Sequence, residues 1–197
     1  MSGSKNNTTN IILVGVGGQG VLLVSTIIAE AAIRAGMDVK TNEVHGMAQR
    51  GGSVLAQVRF GEKVYSPLVW EGTADILIAL EEVEALRHAH FLKKGGLAVV
   101  SAQRIIPVTV SSGKAQYPAD IEERLVRAFP NLIILDSLKT AHGLGNAKAA
   151  NIVTLGAAAR GMSALESHWN GAIEQCVAEK HRELNKRAFK AGGEYSK

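Results

Sequence analysis

Two glycine-marked segments hold most of the chemistry this sequence can offer. The first reads Gly15-Val16-Gly17-Gly18-Gln19-Gly20, between a β-branched run and a helical one. GxGxxG spacing at Gly15, Gly17 and Gly20 permits a tight strand-to-helix turn and lets a phosphate, or another backbone, approach the helix N-terminus. A dinucleotide site also wants an acidic residue closing the second strand. Glu43, in Asn42-Glu43-Val44-His45, does not read as a clean strand end. Three uses of the turn stay open: an anion or nucleotide site, close helix–strand packing with no ligand, or contact with a partner chain.

The second segment is His45-Gly46-Met47-Ala48-Gln49-Arg50-Gly51-Gly52-Ser53. Arg50 beside two glycines and a serine suits a nest of backbone N–H groups next to a guanidinium, which would take a phosphate or carboxylate. His45 has a side chain that titrates near neutrality and so suits acid–base work, although a lone loop histidine is more often structural. Both segments follow strands, and in a doubly wound sheet ligands bind beyond the C-terminal ends of the strands. A third stretch, Asn146-Ala147-Lys148-Ala149-Ala150-Asn151, opens a late helix. Its asparagines cap that helix or, alternatively, Asn151 faces the glycine loops. Cys176, His168 and Trp169 read as packing. No paired carboxylates, metal-ligand cluster, Ser/His/Asp trio or Walker lysine can be assembled from the sequence.

Positioning these segments requires strands alternating with helices. The apolar runs 11–16, 38–44, 54–60, 75–80, 97–101, 105–110 and 132–135 read as strands. The stretches 21–35, 81–93, 120–129, 147–159 and 164–191 read as helices. Gly61-Glu62 leading into Val64-Tyr65 predicts a hairpin, and Gly95-Gly96 a helix stop. DILIAL at 75–80 is continuous and apolar, as in a central parallel strand covered on both faces. The pattern predicts an α/β fold: a three-layer α/β/α sandwich with a Rossmann-like, mostly parallel sheet that includes a hairpin.

Composition narrows the function. The chain has 197 residues, a net charge of +4 and one cysteine, so an internal disulfide or a four-cysteine cluster is arithmetically impossible. The C-terminal basic residues alternate with glutamates and read as a solvated face, with no stacking aromatics to suggest nucleic-acid binding. The uncharged stretch 6–29 is broken by glycines and is expected to be a buried strand and helix, not a membrane span. A cytoplasmic protein is expected. Seven of the 21 glycines (15, 17, 18, 20, 46, 51 and 52) fall in the two loops.

GVGGQG at 15–20, VHGMAQRGGSV at 44–54, Ser66-Pro67, NIVTLG at 151–156 and NKRAFKAG at 185–192, in that order, resemble the gamma-type subunits of 2-oxoacid:ferredoxin oxidoreductases. Within that family they most resemble the small (beta) subunits of the enzymes acting on indolepyruvate. The resemblance spans 11–192 and implies one domain, 10–192, after a flexible N-terminus, 1–9. It implies oxidative decarboxylation of an arylpyruvate to an acyl-CoA with reduction of ferredoxin, by a complex in which this chain is inactive alone. Thiamine diphosphate and the 4Fe-4S clusters would lie on a large (alpha) partner subunit. This chain would hold no cofactor firmly, with coenzyme A a candidate at the interface and a homodimer a candidate state when the partner is missing. The binding positions carried over are Gly15, Gly17, Gly18, Gln19, Gly20, Gln49, Arg50, Gly51, Gly52 and Asn151; His45 and Arg50 are the candidates for a part in catalysis. Two other readings stay open: a self-sufficient Rossmann-type nucleotide-binding oxidoreductase, and a purely structural assembly subunit.

Overall fold

The computed structural model describes residues 8–45, 51–106, 110, 113 and 116–195, and the backbone alone of His45. In chain order the elements are β1 (Thr9–Val16), α1 (Val21–Arg34), β2 (Asp38–His45), β3 (Ser53–Gly61), β4 (Ala74–Ala79) and α2 (Glu82–Arg87). They continue with β5 (Leu92–Ser101), α3 (Ile121–Ala128), β6 (Leu132–Leu135), α4 (Ser137–Gly143), α5 (Ala150–Ala159), α6 (Trp169–Cys176) and α7 (Arg182–Gly193). The strands form one sheet in the order β2-β3-β1-β4-β5-β6. β1, β4, β5 and β6 pair in parallel, while β3 runs antiparallel to both β1 and β2. Five strands therefore share a direction, and β3 alone opposes them.

Alternation along β1 explains the layers. Ile11 and Leu13 point into the larger core, packed with α1, α5 and α6, whereas Ile12 and Val14 point into a second core with α2 and α3. Successive side chains on a strand face opposite ways, so an unbroken apolar run is what a doubly covered strand requires. The sandwich is three-layered, as the sequence predicts.

Several expectations change. The hairpin is not at Gly61-Glu62: Val64 and Val69 give their N–H groups to the carboxylate of Asp38 (2.9 Å) and the amide of Gln57 (2.6 Å), so residues 62–73 form a strap instead of a strand. Arg59 holds that strap through the carbonyls of Ser66 (2.7 Å) and Leu68 (3.1 Å). The hairpin present is β2–β3, closed around 46–52, with His45 opposite Val54. The helix expected over 81–93 ends at Arg87, and Gly95-Gly96 lie in β5 where it irregularly pairs with β4. There a Cβ on Gly96 would meet the Leu92 side chain at 2.8 Å and the Asp75 carbonyl at 3.0 Å, so any larger residue would make its neighbours shift.

The strand expected over 105–110 is absent from its described part: the Ile105 N–H goes to the Glu81 carboxylate at 3.3 Å and to no ladder. Residues 107–109 lie outside the described residues. The long helix expected over 164–191 is divided into α6 and α7, because Val177 turns extended and buries its side chain. The short helix α4, capped by Asp136 accepting from the Lys139 N–H (2.8 Å), has no counterpart in the sequence reading. β1 already includes Thr9, within the terminus expected to be flexible; residues 1–7 lie outside the described residues.

Candidate functional site

β1 ends in the first glycine segment and β3 begins at the end of the second, so antiparallel pairing brings the two together. Gly15 stands opposite Val54 and Val16 opposite Ser53. Beyond the ladder, the Gly17 N–H donates to the Gly52 carbonyl at 2.8 Å, and the Gly51 N–H to the Gly17 carbonyl at 3.5 Å. The glycine turn and Gly51-Gly52 are thus one rim at the C-terminal end of the parallel strands. His45 closes β2 on the same rim. Its side chain, together with Gly46, Gln49 and Arg50, lies outside the described residues.

Gln19 braces the rim. Its Oε1 accepts from the Val16 N–H (2.8 Å), and its Nε2 donates to the Leu80 carbonyl (2.7 Å) and to Gln103 Oε1 (3.0 Å). The turn is thereby tied to the ends of β1 and β4 and to the chain after β5. Gly15 sits under this brace, where a Cβ would meet Gln19 Oε1 at 2.9 Å and Leu80 at 3.2 Å. Gly20 is left-handed at φ +82° and forms the N-cap of α1, with no side chain capping the first turn and no acidic residue within it. Asn151 is 8% exposed and reaches across from α5 to Gly20, its Nδ2 donating to the Gly20 carbonyl at 3.4 Å. Of the two readings of the asparagines, both hold, one each: Asn146 caps through the Lys148 N–H (3.0 Å), and Asn151 faces the glycine turn.

These groups wall an open cleft of ≈ 500 Å³, lined by Gly18, Gly20, Leu80, Gln103, Lys148 and Asn151. An uncapped helix N-terminus beside an exposed lysine is an electropositive recess suited to phosphate or carboxylate. Glu43 does not complete a dinucleotide site. It sits in β2, separated from β1 by β3, and accepts from the Ser25 hydroxyl at 3.1 Å.

Sequence reasoning missed the carboxylates that hold the rim from behind. Glu81, Glu82 and Glu84 are 1%, 1% and 5% exposed. Glu81 accepts from the Glu84 N–H (2.9 Å) and from the Tyr117 hydroxyl (2.9 Å); burial and the neighbouring carboxylate push that hydroxyl's pKa up. Glu82 meets Arg104 at 2.6 Å, and the bond raises the guanidinium's pKa further. Glu84 takes the Ser53 hydroxyl at 2.5 Å and lies near His88, whose imidazole burial drives toward the neutral form. Ser53 is the first residue of β3, so Glu84 fixes the start of β3 onto α2. The signal was present as three carboxylates within Glu81-Glu82-Val83-Glu84 directly after an apolar strand, but the same letters also suit the first turn of an exposed helix.

Among the described residues no group of three His, Cys, Asp or Glu side chains could hold a metal ion. The described helices include none long and apolar enough to cross a membrane.

The family description for pyruvate ferredoxin/flavodoxin oxidoreductase matches residues 10–195. The chain belongs to that family. Among curated members of this oxidoreductase family, the indolepyruvate oxidoreductase subunit IorB of Thermococcus kodakarensis is 43% identical over 188 residues, covering 93% of each chain. The gamma subunit of a keto/oxoacid ferredoxin oxidoreductase from Geobacter sulfurreducens shares the architecture with a TM-score of 0.69 at 26% identity, over 93% of this chain and 95% of that one. A 2-oxoglutarate:ferredoxin oxidoreductase from Magnetococcus marinus, solved with 2-oxoglutarate, coenzyme A and succinyl-CoA, has the same fold at a TM-score of 0.71 and 22% identity, over 94% of this chain and 30% of that one. Mixed six-stranded sheet and flanking helices are thus the fold of oxidoreductase gamma subunits.

Proposed function

We propose that the chain is the small subunit of a 2-oxoacid:ferredoxin oxidoreductase acting on arylpyruvates such as indolepyruvate. A larger partner subunit carries thiamine diphosphate and the iron–sulfur clusters, and ferredoxin takes the electrons. The complex converts a 2-oxoacid and coenzyme A to an acyl-CoA and carbon dioxide, passing two electrons to ferredoxin. The observation that carries this reading is the joined glycine rim: a wall of backbone and small residues, built for close approach by a ligand or partner chain. A cluster needs four cysteine ligands and this chain has Cys176 alone, so its residues do not fit one.

Coenzyme A is a fitting ligand at the interface. Its phosphates match the first turn of α1 and Lys148, and its thiol end would extend toward the partner. Arg50, with the neighbouring N–H group of Gly52, is the proposed anion clamp, and His45 the proposed proton carrier on the same rim.

The test is reconstitution. The full-length chain alone should not reduce ferredoxin with indolepyruvate and coenzyme A, and mixing it with the large subunit should restore that activity. In the reconstituted complex, Arg50→Ala and His45→Ala should each lower turnover about tenfold or more, equivalent to about 1.4 kcal/mol of transition-state stabilisation. Unchanged turnover with normal assembly would make the subunit a structural one only.

A further inference from the structure

The sandwich is thin on one side. α2 stacks on β1, β4 and β5, and α1 covers β2 and β3 on the opposite face. Over β2 and β3 the α2 face is crossed instead by the strap 62–73, whose Val64 and Val69 are buried. Between and beside them Tyr65, Leu68 and Trp70 point outward, and Tyr65 and Trp70 are 83% and 75% exposed. Val44 lies on the same face of the sheet and is also exposed. Its register partner is Leu55, two residues from the Gln57 that holds the strap, whereas the neighbouring Glu43 turns to Ser25 of α1. We propose that this face, centred on Tyr65, Leu68 and Trp70, is where the large partner subunit seats with an apolar, uncharged surface of its own. The inference rests on the functional reading for the existence of that partner.

Exposed apolar side chains are ordinary when they are scattered or carried on loose chain, and these are neither. Arg59 donates to the Ser66 and Leu68 carbonyls, and the Ser66 hydroxyl takes the Leu68 N–H at 3.2 Å. The Thr73 N–H and hydroxyl both return to the Trp70 carbonyl, at 3.2 and 2.7 Å. At the far end the Gly72 N–H donates to the His90 carbonyl (2.9 Å), and the Thr73 carbonyl accepts from the Asn10 amide (3.1 Å). The backbone beside each outward side chain is thereby fixed, so the two aromatic rings are presented with little chain entropy left to lose on binding. Tyrosine and tryptophan are also the residue types that carry most of the binding energy at protein interfaces.

Charge selects a protein occupant over a polyanion. The strap carries one base against two acids; Lys63 pairs with Asp38 at 3.7 Å, and Glu71 faces His90 at 3.9 Å. Nucleic acid or an anionic membrane would need an excess of basic residues there. Chain lengths select which protein. The fold makes up 30% of the Magnetococcus marinus chain, where a peptide link ties it to the rest, but 93% of the Thermococcus kodakarensis relative is matched by this domain. A subunit of that size has no peptide link to the remainder of its enzyme, so a surface must do the holding. Position agrees with this choice. Ser53, Leu55 and Gln57 share the strap's face of β3, which therefore runs without a break to the glycine rim, and a subunit seated on it also meets the rim.

Tryptophan supplies a reporter that needs no turnover. The chain has two, Trp70 on the proposed face and Trp169, 4% exposed, in the larger core. Labelled with 5-hydroxytryptophan, the full-length chain is excited apart from the partner's own tryptophans, and acrylamide should quench Trp70 while hardly touching Trp169. Adding the purified large subunit should remove the quenchable fraction. Trp70→Asp and Tyr65→Asp, at exposed positions that should leave the melting temperature unchanged, should each raise the dissociation constant about thirtyfold or more. Ile33→Asp on α1 and Val126→Asp on α3, exposed apolar positions outside the strap, should change it by no more than about twofold. A complex in which Trp70 is still quenched, unchanged affinity in both strap variants, or an equal loss in the two controls would overturn the inference and leave the functional reading standing. Protection that grows with the concentration of the labelled chain alone would overturn it in favour of a second copy. Protection by phosphatidylcholine vesicles alone would overturn it in favour of a lipid surface. Failure of the two subunits to associate at all would overturn both readings, because the partner itself would be gone.

Discussion

At the scale of single residues, the rim depends on contacts that leave no room for a methyl group. Gly20 combines a positive φ with a neighbour, Asn151, whose amide nitrogen would overlap any Cβ placed there. Two separable costs follow on Gly20→Ala: left-handed strain of about 1–2 kcal/mol, and the displacement of Asn151. The strain belongs to Gly20 alone, but the displacement exists only while Asn151 is present. Gly20→Ala should therefore cost more stability in the native background than in Asn151→Ala, with a coupling of about 0.5–3 kcal/mol by denaturant unfolding of the four proteins. Strictly additive values would mean that Asn151 does not press on the turn. Gln19 illustrates the same economy differently. Its amide is used on three backbone or side-chain partners, so its role in the fold is to hold the turn in shape.

At the scale of elements, the helices that carry Asn151 and Asn185 are pressed together more closely than ordinary side chains allow. A Cβ on Gly156 of α5 would overlap the Phe189 carbonyl of α7, and one on Gly192 of α7 would overlap the Val153 carbonyl of α5. In each case the obstacle is backbone, so it cannot swing aside. Gly156→Ala should force the helices apart and cost about 1–3 kcal/mol or more, despite alanine's better helix propensity. The check is thermal unfolding. A rise in melting temperature would show that propensity outweighs the crossing.

The sequence made some of these elements plain and hid others. DILIAL at 75–80 and LIIL at 132–135 were legible as buried strands because an unbroken apolar run has few other uses. NIVTLG and NKRAFKAG are among the segments that carry the resemblance, but only packing shows that Gly156 and Gly192 each press against the other helix's backbone. The division between α6 and α7 was not legible: neither Gly nor Pro lies at Val177-Ala178, and helical periodicity continues on both sides. The β2–β3 hairpin was missed because a loop of the length of 46–52 carries no two-residue turn signal, while Gly61-Glu62 imitates one. Glu81, Glu82 and Glu84 read as surface residues because burial of a carboxylate depends on partners that are distant in the chain, Arg104, Tyr117 and Ser53.

At the scale of the whole molecule, one sheet is the shared wall of two cores, and the site lies along the edge where both end. The larger core includes Ile173 of α6, and the smaller includes Leu125 of α3; each is fully buried. Neither core could persist without the other, because every central strand contributes alternate residues to both, as Ile76 and Ile78 do to one and Leu77 and Ala79 to the other. Leu125→Ala and Ile173→Ala should each cost about 2–5 kcal/mol, the usual range for emptying a packed aliphatic site. Placed on opposite faces with no shared partner, the two costs should add to within about 0.5 kcal/mol. Unfolding should nonetheless remain a single transition with an unchanged denaturant slope, since loss of either layer exposes the same strands. The consequence for function is that the glycine rim cannot loosen layer by layer. If Leu125→Ala instead gave a biphasic curve, with Trp169 on the α6 side still folded after α3 had melted, the layers would be independent, and the rim could be reshaped from the α2–α3 side alone while α6 and α7 stayed intact.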